Sequence, residues 1–198
     1  MIAYLSGKLV FKDPTYVIID VAGVGYEVKI SLQTYTEIKD EEQIKLLTFL
    51  HIKEDAHTLY GFKKEDEKRL FLLLISINGV GPNTGLMILS SLASAEIEQA
   101  ILSGDVPTIQ GVKGIGAKTA QRIILELKDK VGKSSSDSGS APLGFLKSSN
   151  KLREEALQAL LTLGFTKAAA EKNISAVLKK TTGEISLEDL IKASLKTP

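Results

Sequence analysis

Hydrophobic and polar residues alternate through the first third of the chain, in short runs rich in Val, Ile, Thr, Tyr and Phe. Turn-forming residues such as Asp13-Pro14 and Gly23 separate these runs, which predict strands at residues 15–21, 25–30, 44–52 and 57–62. Because a small sheet of short strands loses its exposed edges when it closes, we expect residues 1–62 to form an OB-like β-barrel.

The hydrophobic period becomes helical after Phe62. A first helix is predicted from acidic residues 65–67 to a stop at Asn78-Gly79, a second from an N-cap at Ser94 to Gly104, and a third over residues 117–131. Residues 63–133 should therefore form a helical domain.

The last part of the chain opens with a Ser- and Gly-rich stretch at residues 134–150, which we interpret as a flexible linker. Three short helices are predicted beyond it: one at 152–163 that stops at Gly164, one after a Thr166 cap, and one after a Ser186 cap. Residues 151–198 thus form a small three-helix domain, and the whole chain belongs to the α+β multidomain class.

An internal repeat lies in the helical domain, where the pattern G-h-G-x-x-T-small-x-x-I occurs twice, 35 residues apart. Each copy follows a short apolar stretch and opens a helix, so we expect both of its glycines to lie in a tight hairpin with positive φ. The first hairpin consists of Gly79, Val80, Gly81, Pro82, Asn83 and Thr84, and the second of Gly114, Ile115, Gly116, Ala117, Lys118 and Thr119.

Each hairpin is expected to present the free N–H groups of a helix N-terminus to a phosphate. Two copies would grip two phosphate backbones across a minor groove without reading the bases. Basic side chains accompany only the second copy and would add a salt-dependent contribution; they are Lys113, Lys118, Arg122 and Lys128. The repeat resembles helix-hairpin-helix DNA-binding motifs, and two glycine C-caps that merely join helices are the alternative interpretation.

The amino-acid composition excludes several kinds of catalytic and metal site. The chain has 198 residues, with 25 Lys and Arg against 24 Asp and Glu, so it lacks the strongly basic character typical of many nucleic-acid-binding domains. The absence of Cys excludes disulfides, thiolate zinc sites and a Cys nucleophile. Residues 111–119 do not form a P-loop, because Ala117 separates Gly116 from Lys118. We expect no cofactor, no metal site and no intrinsic catalysis.

Three further segments carry a resemblance to a known family: MIAYLSG at residues 1–7, GVGYEV at 23–28 and EDAHTLYGF at 54–62. With the hairpins, they resemble the RuvA family, the Holliday-junction-binding subunits of bacterial branch-migration complexes, closely over residues 1–133. The resemblance implies a homotetramer, or two tetramers face to face, that holds a four-way DNA junction open during recombination and repair.

The resemblance also implies roles for individual residues. The family's acidic pin maps onto Glu54 and Asp55, whose charges would repel phosphates at the junction centre and favour strand separation; a solvated turn is the alternative. In the C-terminal domain, LLTLGF at 160–165 is similar to the glycine–aromatic loop of ubiquitin-associated-like domains. This similarity implies that a RuvB-type ATPase, which would hydrolyse the ATP, is contacted by Leu161, Leu163, Gly164 and Phe165.

The chain departs from the family pattern in the first hairpin, where Asn83 stands in place of an expected Lys and Gly85 in place of a helix-packing Ala. This hairpin would therefore rely on backbone amides. A RuvC-type resolvase is a further implied partner of the larger complex.

Two other classes of function remain open. A helix-hairpin-helix nuclease or glycosylase would need a carboxylate cluster or a Lys nucleophile near the hairpins, and neither is evident in the sequence. The alternative binding module is a generic protein for single-stranded or duplex DNA. The N-terminus lacks a signal-peptide pattern and the most apolar stretch, at 70–77, is too short to span a bilayer. We expect a cytoplasmic protein with no membrane partner.

Overall fold

A computed structural model describes residues 1–39, 41–132, 147–180 and 185–196. The chain divides into two units, Met1–Gly139 and Ser140–Pro198. Most of the predicted linker at 134–150 lies outside the described residues.

The first unit begins with a closed barrel of β1 (Tyr4–Lys12), β2 (Tyr16–Val21), β3 (Val24–Ile30), β4 (Gln43–Ile52) and β5 (His57–Phe62). The strand order is β1-β2-β3-β5-β4, and the antiparallel pairing of β1 with β4 closes it. Only β3 and β5 pair in parallel among these strands. The predicted OB-like barrel is confirmed, with strand ends within one residue of the expected positions.

Strand β1 has no counterpart in the sequence prediction, because Ser6, Gly7 and Lys8 interrupt its apolar pattern. A Cβ atom at Gly7 would lie 2.1 Å from the backbone carbonyl oxygen of Asp20 on β2. Glycine is therefore required at this contact between the two strands, and a glycine lowers the strand propensity of the segment.

A short helix, α1 (Leu32–Ile38), follows β3 and is also absent from the prediction. Its N-cap is Ser31, whose hydroxyl oxygen accepts a hydrogen bond from the Thr34 N–H at 3.0 Å. The helix buries Ile38 against the barrel core, which is formed by Leu5, Val17, Ile19, Val28, Ile30, Ile44, Leu46 and Leu59.

The helical part of the first unit contains α2 (Glu65–Ile75), α3 (Pro82–Ser91), α4 (Ser94–Ser103), α5 (Val106–Gln110) and α6 (Ala117–Gly132). Helix α2 ends before the predicted stop at Asn78-Gly79, which belongs to the following turn. Helix α5 has no counterpart in the prediction, since five residues that include a Pro give no clear helical period.

The predicted N-cap of α4 is wrong by one residue. Ser94 is the first helical residue and Ala93 is the N-cap. The Ala93 N–H donates to the Glu96 carboxylate at 2.8 Å, so the side chain three residues into the helix closes its start. Gly104, with φ +78°, ends the helix as predicted.

Strand β5 belongs to both the barrel and the helical core. Leu59 lies in the barrel core, and a Cβ at Gly61 would meet Val28 at 2.5 Å inside the barrel. Tyr60 and Phe62 lie instead in the helical core. This alternation of successive side chains joins the two predicted domains, 1–62 and 63–133, into one unit.

A buried carboxylate adds a polar link between the same two parts. Glu67 of α2 is 1% exposed and accepts hydrogen bonds from the hydroxyls of Ser31 and Thr34, the latter at 2.6 Å. Its position in the first turn predicted only a favourable charge near the helix N-terminus. In the structure, Glu67 also accepts hydrogen bonds from the N-terminal end of α1.

The second unit contains α7 (Lys147–Thr162), α8 (Lys167–Lys180) and α9 (Leu187–Leu195). Helix α7 starts at Lys147, so residues 147–150 are helical and not linker, as no Gly or Pro interrupts the segment. The hydroxyls of Thr166 and Ser186 accept from backbone N–H groups at 3.4 and 3.1 Å, as the predicted caps require. The core of the unit consists of Ala156, Leu160, Ala170, Ile174, Val177 and Leu190.

Across the described ranges, no single helix is both long and apolar enough for a membrane span, and α3 and α4 meet that test only as a pair bent by 99°.

Candidate nucleic-acid interface

The two glycine hairpins have the same backbone geometry. In the first, the Val80 N–H donates to the Ile77 carbonyl oxygen at 3.0 Å, and in the second the Ile115 N–H donates to that of Val112 at 3.1 Å. The helix that follows each turn also begins identically, with N–H to carbonyl bonds of 2.9 Å from Gly85 to Gly81 and 3.0 Å from Ala120 to Gly116. The sequence repeat is thus a structural repeat.

The two glycines of each hairpin serve different purposes. Gly79 and Gly114 have φ of +93° and +88°, as expected for a tight turn. The same expectation is wrong for Gly81 and Gly116, which have no positive φ; Gly81, at −82°, is the extended N-cap of α3. A Cβ at either of these positions would have no atom within 4 Å. Their lack of a side chain therefore leaves the surface open to a ligand.

The apolar residue between the glycines anchors each hairpin. Val80 and Ile115 are 4% and 6% exposed and lie in the helical core. Their side chains cannot reach a nucleic acid, so these two predicted site residues contribute only backbone groups.

The helix N-termini offer the hydrogen-bond donors that the sequence predicts, in unequal number. The first bond within α3 comes from Gly85, so the N–H groups of Asn83 and Thr84 precede it; Pro82 has no N–H. In α6 the first bond comes from Ala120, and three N–H groups precede it, those of Ala117, Lys118 and Thr119. The second hairpin therefore has one more backbone donor.

Charge is also concentrated at the second hairpin. Lys113, Lys118, Arg122 and Lys128 are all exposed there. The Arg122 guanidinium donates to the backbone carbonyl oxygen of Asn78 at 3.1 Å, which joins α6 to the turn of the first hairpin. The sequence assigns Arg122 to a DNA phosphate and gives no sign of this second contact.

Asn83 of the first hairpin contacts the barrel. The Tyr60 hydroxyl donates to the Asn83 Oδ1 atom at 2.9 Å. Burial raises the pKa of Tyr60 above its ordinary value of 10.0, so the hydroxyl keeps its proton at neutral pH. A Lys at position 83 would have no acceptor for this proton.

Packing accounts for the second departure from the family pattern. A Cβ at Gly85 would lie 3.2 Å from Ile75 Cγ2 and 3.3 Å from Phe71 Cδ2. Since α2 and α3 pack tightly around these two side chains, even an Ala would force them to move.

The acidic pair lies at the tip of the β4–β5 turn. Glu54 and Asp55 are exposed, and the turn is closed by the Lys53 N–H, which donates to the Ala56 carbonyl oxygen at 2.8 Å. Two adjacent carboxylates at an exposed tip create a local negative potential that repels phosphates within about 10 Å at 0.1 M salt.

In the second unit, the predicted motor-contacting residues differ in exposure. Gly164, with φ +95°, follows the end of α7, and Phe165 packs against the core of the second unit. Leu161 is half-buried, whereas Leu163 is 59% exposed. Leu163 is thus the one of the four that presents an open apolar side chain.

Metal binding has no support from the described residues, where no three His, Asp or Glu side chains are grouped closely enough to hold an ion.

Comparison with known protein families accounts for most of the chain. Residues 1–61 match the RuvA N terminal domain, residues 71–129 the SAM-like helix-hairpin-helix tandem, and residues 151–197 the RuvA C-terminal domain.

Full-length relatives agree with these matches. The chain is 56% identical over 197 residues to the Holliday junction branch migration complex subunit RuvA of Cytophaga hutchinsonii, with 99% of each chain covered. The protein of the same name from Amoebophilus asiaticus is 50% identical, with 99% of this chain and 100% of the relative covered. That from Syntrophotalea carbinolica is 43% identical over 99% of this chain and 98% of its own.

Proposed function

Since the chain belongs to the RuvA family, we propose that it is the DNA-binding subunit of a Holliday junction branch migration complex. It recognises a four-way junction by structure and not by base sequence. Its work lies in homologous recombination and DNA repair, and we place it in the cytoplasm.

The observation that carries this proposal is the pair of equivalent hairpins in one compact unit, linked through Arg122 and Asn78. Each opens a helix whose free N–H groups and positive dipole end attract a phosphate oxygen. Two such sites at a fixed separation bind two backbones of a duplex arm, and neither site reads a base.

The acidic turn supplies the second element of the function. Glu54 and Asp55 stand on the barrel, outside the hairpins, and carry the opposite charge from Lys113, Lys118 and Arg122. We propose that the hairpins attract the arms while the acidic turn repels phosphates at the crossover. This division favours an open junction with separated strands.

Assembly and motor recruitment complete the proposal. Four copies around the junction would present one pair of hairpins to each of its four arms, and a second tetramer would enclose the other face. The three-helix unit at 151–198 would recruit the RuvB-type ATPase, and the larger complex would include a RuvC-type resolvase. All catalysis then belongs to the partners, and no cofactor is needed by this chain.

A competition gel shift at fixed salt and Mg²⁺ tests the function. A synthetic four-way junction competes with linear duplex and with single-stranded DNA of the same base content. We expect the junction to be preferred by at least about tenfold, since several hairpin pairs bind it at once. Equal affinity for duplex would reduce the protein to a non-specific hairpin binder, and preference for single strands would shift the binding site to the barrel.

A further inference from the structure

Strand β5 connects the acidic turn to the first hairpin. The strand starts at His57, two residues after Asp55, and carries Tyr60 in its middle. At about 3.3 Å per residue, Tyr60 lies about 10 Å along the strand from His57. Its hydroxyl donates to Asn83. One strand and one hydrogen bond therefore span the path from the acidic turn to the hairpin.

The Tyr60 ring is held rigidly. It is 3% exposed, its centroid lies 5.4 Å from that of Phe71 and 6.5 Å from that of Phe49, and β5 pairs with strands on both sides. A buried ring on a strand that is paired on both sides has little freedom, so its hydroxyl is a fixed point. Asn83, in contrast, is exposed on the hairpin and has a short side chain.

We infer that Tyr60 is a positioning residue for DNA: through Asn83 it fixes the distance between the first hairpin and the acidic turn, and thereby sets the preference for junctions over duplex. The inference rests on the proposed function. Tyr60 itself, which is buried, does not touch the DNA.

The asymmetry of the hairpins supports this role. The second hairpin has Lys118 at the position of Asn83, which provides a charge for a phosphate and no acceptor for a tyrosine hydroxyl. The first hairpin lacks that charge, and its Asn83 instead links the hairpin to the barrel through Tyr60. We call the resulting fixed spacing between the first hairpin and the acidic turn registration. The first hairpin contributes registration, whereas the second hairpin contributes the salt-dependent affinity for phosphates.

Registration matters for a junction and not for a duplex. In a junction, each arm leaves a single centre, so phosphates occur at set distances from that centre. A linear duplex has no centre and can slide until both hairpins are filled. Loosening the Tyr60–Asn83 link should therefore weaken junction binding and spare duplex binding.

A double-mutant cycle tests the inference, with Tyr60→Phe, Asn83→Ala and the double variant measured by gel shift against junction and duplex. Losing one buried-donor hydrogen bond should weaken junction binding about fivefold in each single variant, with duplex binding changed by less than about twofold. The double variant should be no weaker than the singles, because both remove the same link. Tyr16→Phe, which also removes a hydroxyl from a barrel tyrosine, is the control and should bind like the wild type.

Strand separation provides a readout that a merely structural role would not change. A 2-aminopurine base placed at the junction centre should report less unpairing with Tyr60→Phe than with the wild type at saturating protein. Asn83→Asp keeps the acceptor and should keep the wild-type ratio of junction to duplex affinity, although both affinities fall with the added negative charge.

Additive losses in the double variant, or equal losses on junction and duplex, would overturn the inference. A wild-type protein without junction preference would overturn the proposed function instead, so the two failures can be told apart.

Discussion

The Arg122 guanidinium donates a hydrogen bond to the backbone carbonyl oxygen of Asn78, 44 positions earlier in the chain, at 3.1 Å. This contact crosses from the helix of the second hairpin to the turn of the first. Since a guanidinium has five donors, Arg122 can hold this carbonyl and still bind a phosphate. It is both a link between the hairpins and a source of charge.

Two substitutions separate these roles of Arg122. Arg122→Ala should weaken junction binding and reduce the slope of log K against log salt by about one, because one phosphate contact is lost. Arg122→Lys keeps the charge and should keep that slope, but should still weaken binding, since an ammonium lacks the planar fork that spans two acceptors. Gel shifts between 50 and 200 mM salt measure both. Identical slopes for wild type and Arg122→Ala would contradict the phosphate contact.

Substituting Thr for each glycine of the second hairpin should give opposite phenotypes. Gly114→Thr forces a β-branched residue into φ +88° and should lower the free energy of unfolding by at least about 1–2 kcal/mol. Gly116→Thr meets no atom within 4 Å and Thr is an acceptable N-cap, so stability should be unchanged. Junction binding should nevertheless fall by at least about tenfold, because the side chain blocks the phosphate. Thermal unfolding and gel shifts measure the two effects, and unchanged binding by Gly116→Thr would refute the hairpin interface.

The buried carboxylate of Glu67 should make stability depend on pH in a defined direction. Burial raises the pKa of Glu67 above the ordinary 4.5, against the hydrogen bonds from Ser31 and Thr34. A raised folded-state pKa means that protonation favours the folded form; this contribution is complete below about pH 4.5 and is lost as the pH rises through the folded-state pKa.

We therefore expect the difference in Tm between wild type and Glu67→Gln to favour the wild type more at about pH 4 than at about pH 8. Glu65→Gln, an exposed position in the same helical turn, gives the background from removing a carboxylate of α2. Thermal unfolding of the three proteins across this range measures the effect. A difference that grows with rising pH would contradict the assignment.

Neutralising the acidic turn should strengthen binding and change migration. Glu54→Gln with Asp55→Asn removes two charges near phosphates, and the junction affinity should rise up to about fivefold at low salt. The control, Glu41→Gln with Glu42→Gln, removes the same charge just before the opposite end of β4, where the two carboxylates pair with Lys63 and Lys8. With the motor present, migration should change only in the first variant. Indistinguishable migration by all three proteins would leave the acidic turn with no role.

In the C-terminal unit, exposure distinguishes a contact residue from a core residue. Leu163→Ala should lower the free energy of unfolding by less than about 0.5 kcal/mol and weaken binding to a RuvB-type ATPase. Phe165→Ala should cost about 2–3 kcal/mol, because its half-buried ring packs in the core. Calorimetric titration with the ATPase and thermal unfolding separate the two. Full ATPase affinity in Leu163→Ala would remove it from the proposed contact surface.

The sequence predicts the turns and helix caps that are formed by residues close together in the chain. The hairpin repeat predicts two turns to within one residue, since the first glycine of each copy, Gly79 or Gly114, is required by the positive φ of its turn. The caps at Thr166 and Ser186 are predictable because each hydrogen bond joins residues only three positions apart in the sequence. Strand β1 is not predicted, because the requirement for glycine at position 7 comes from Asp20 on another strand.

The site is less predictable than the fold for the same reason. Its hairpins are visible in the sequence, but the contacts that orient them are not. Tyr60 and Asn83 are 23 positions apart, and Arg122 and Asn78 are 44 apart. No periodicity links residues at such separations, so the sequence suggests a weakened first hairpin where the structure has a tethered one.

Strand β5 also determines where the chain can be cut into separately folding fragments. Family matching places a boundary between residues 61 and 71, yet Phe62 and Tyr60 are buried under helices that begin after it. A fragment that ends at residue 62 would expose both aromatic rings to water, and a fragment that begins after it would lack part of its core. The barrel and the hairpins are therefore expected to melt in one transition. Exchange of hairpin modules between relatives should succeed only when β5 is carried along with the helices it supports.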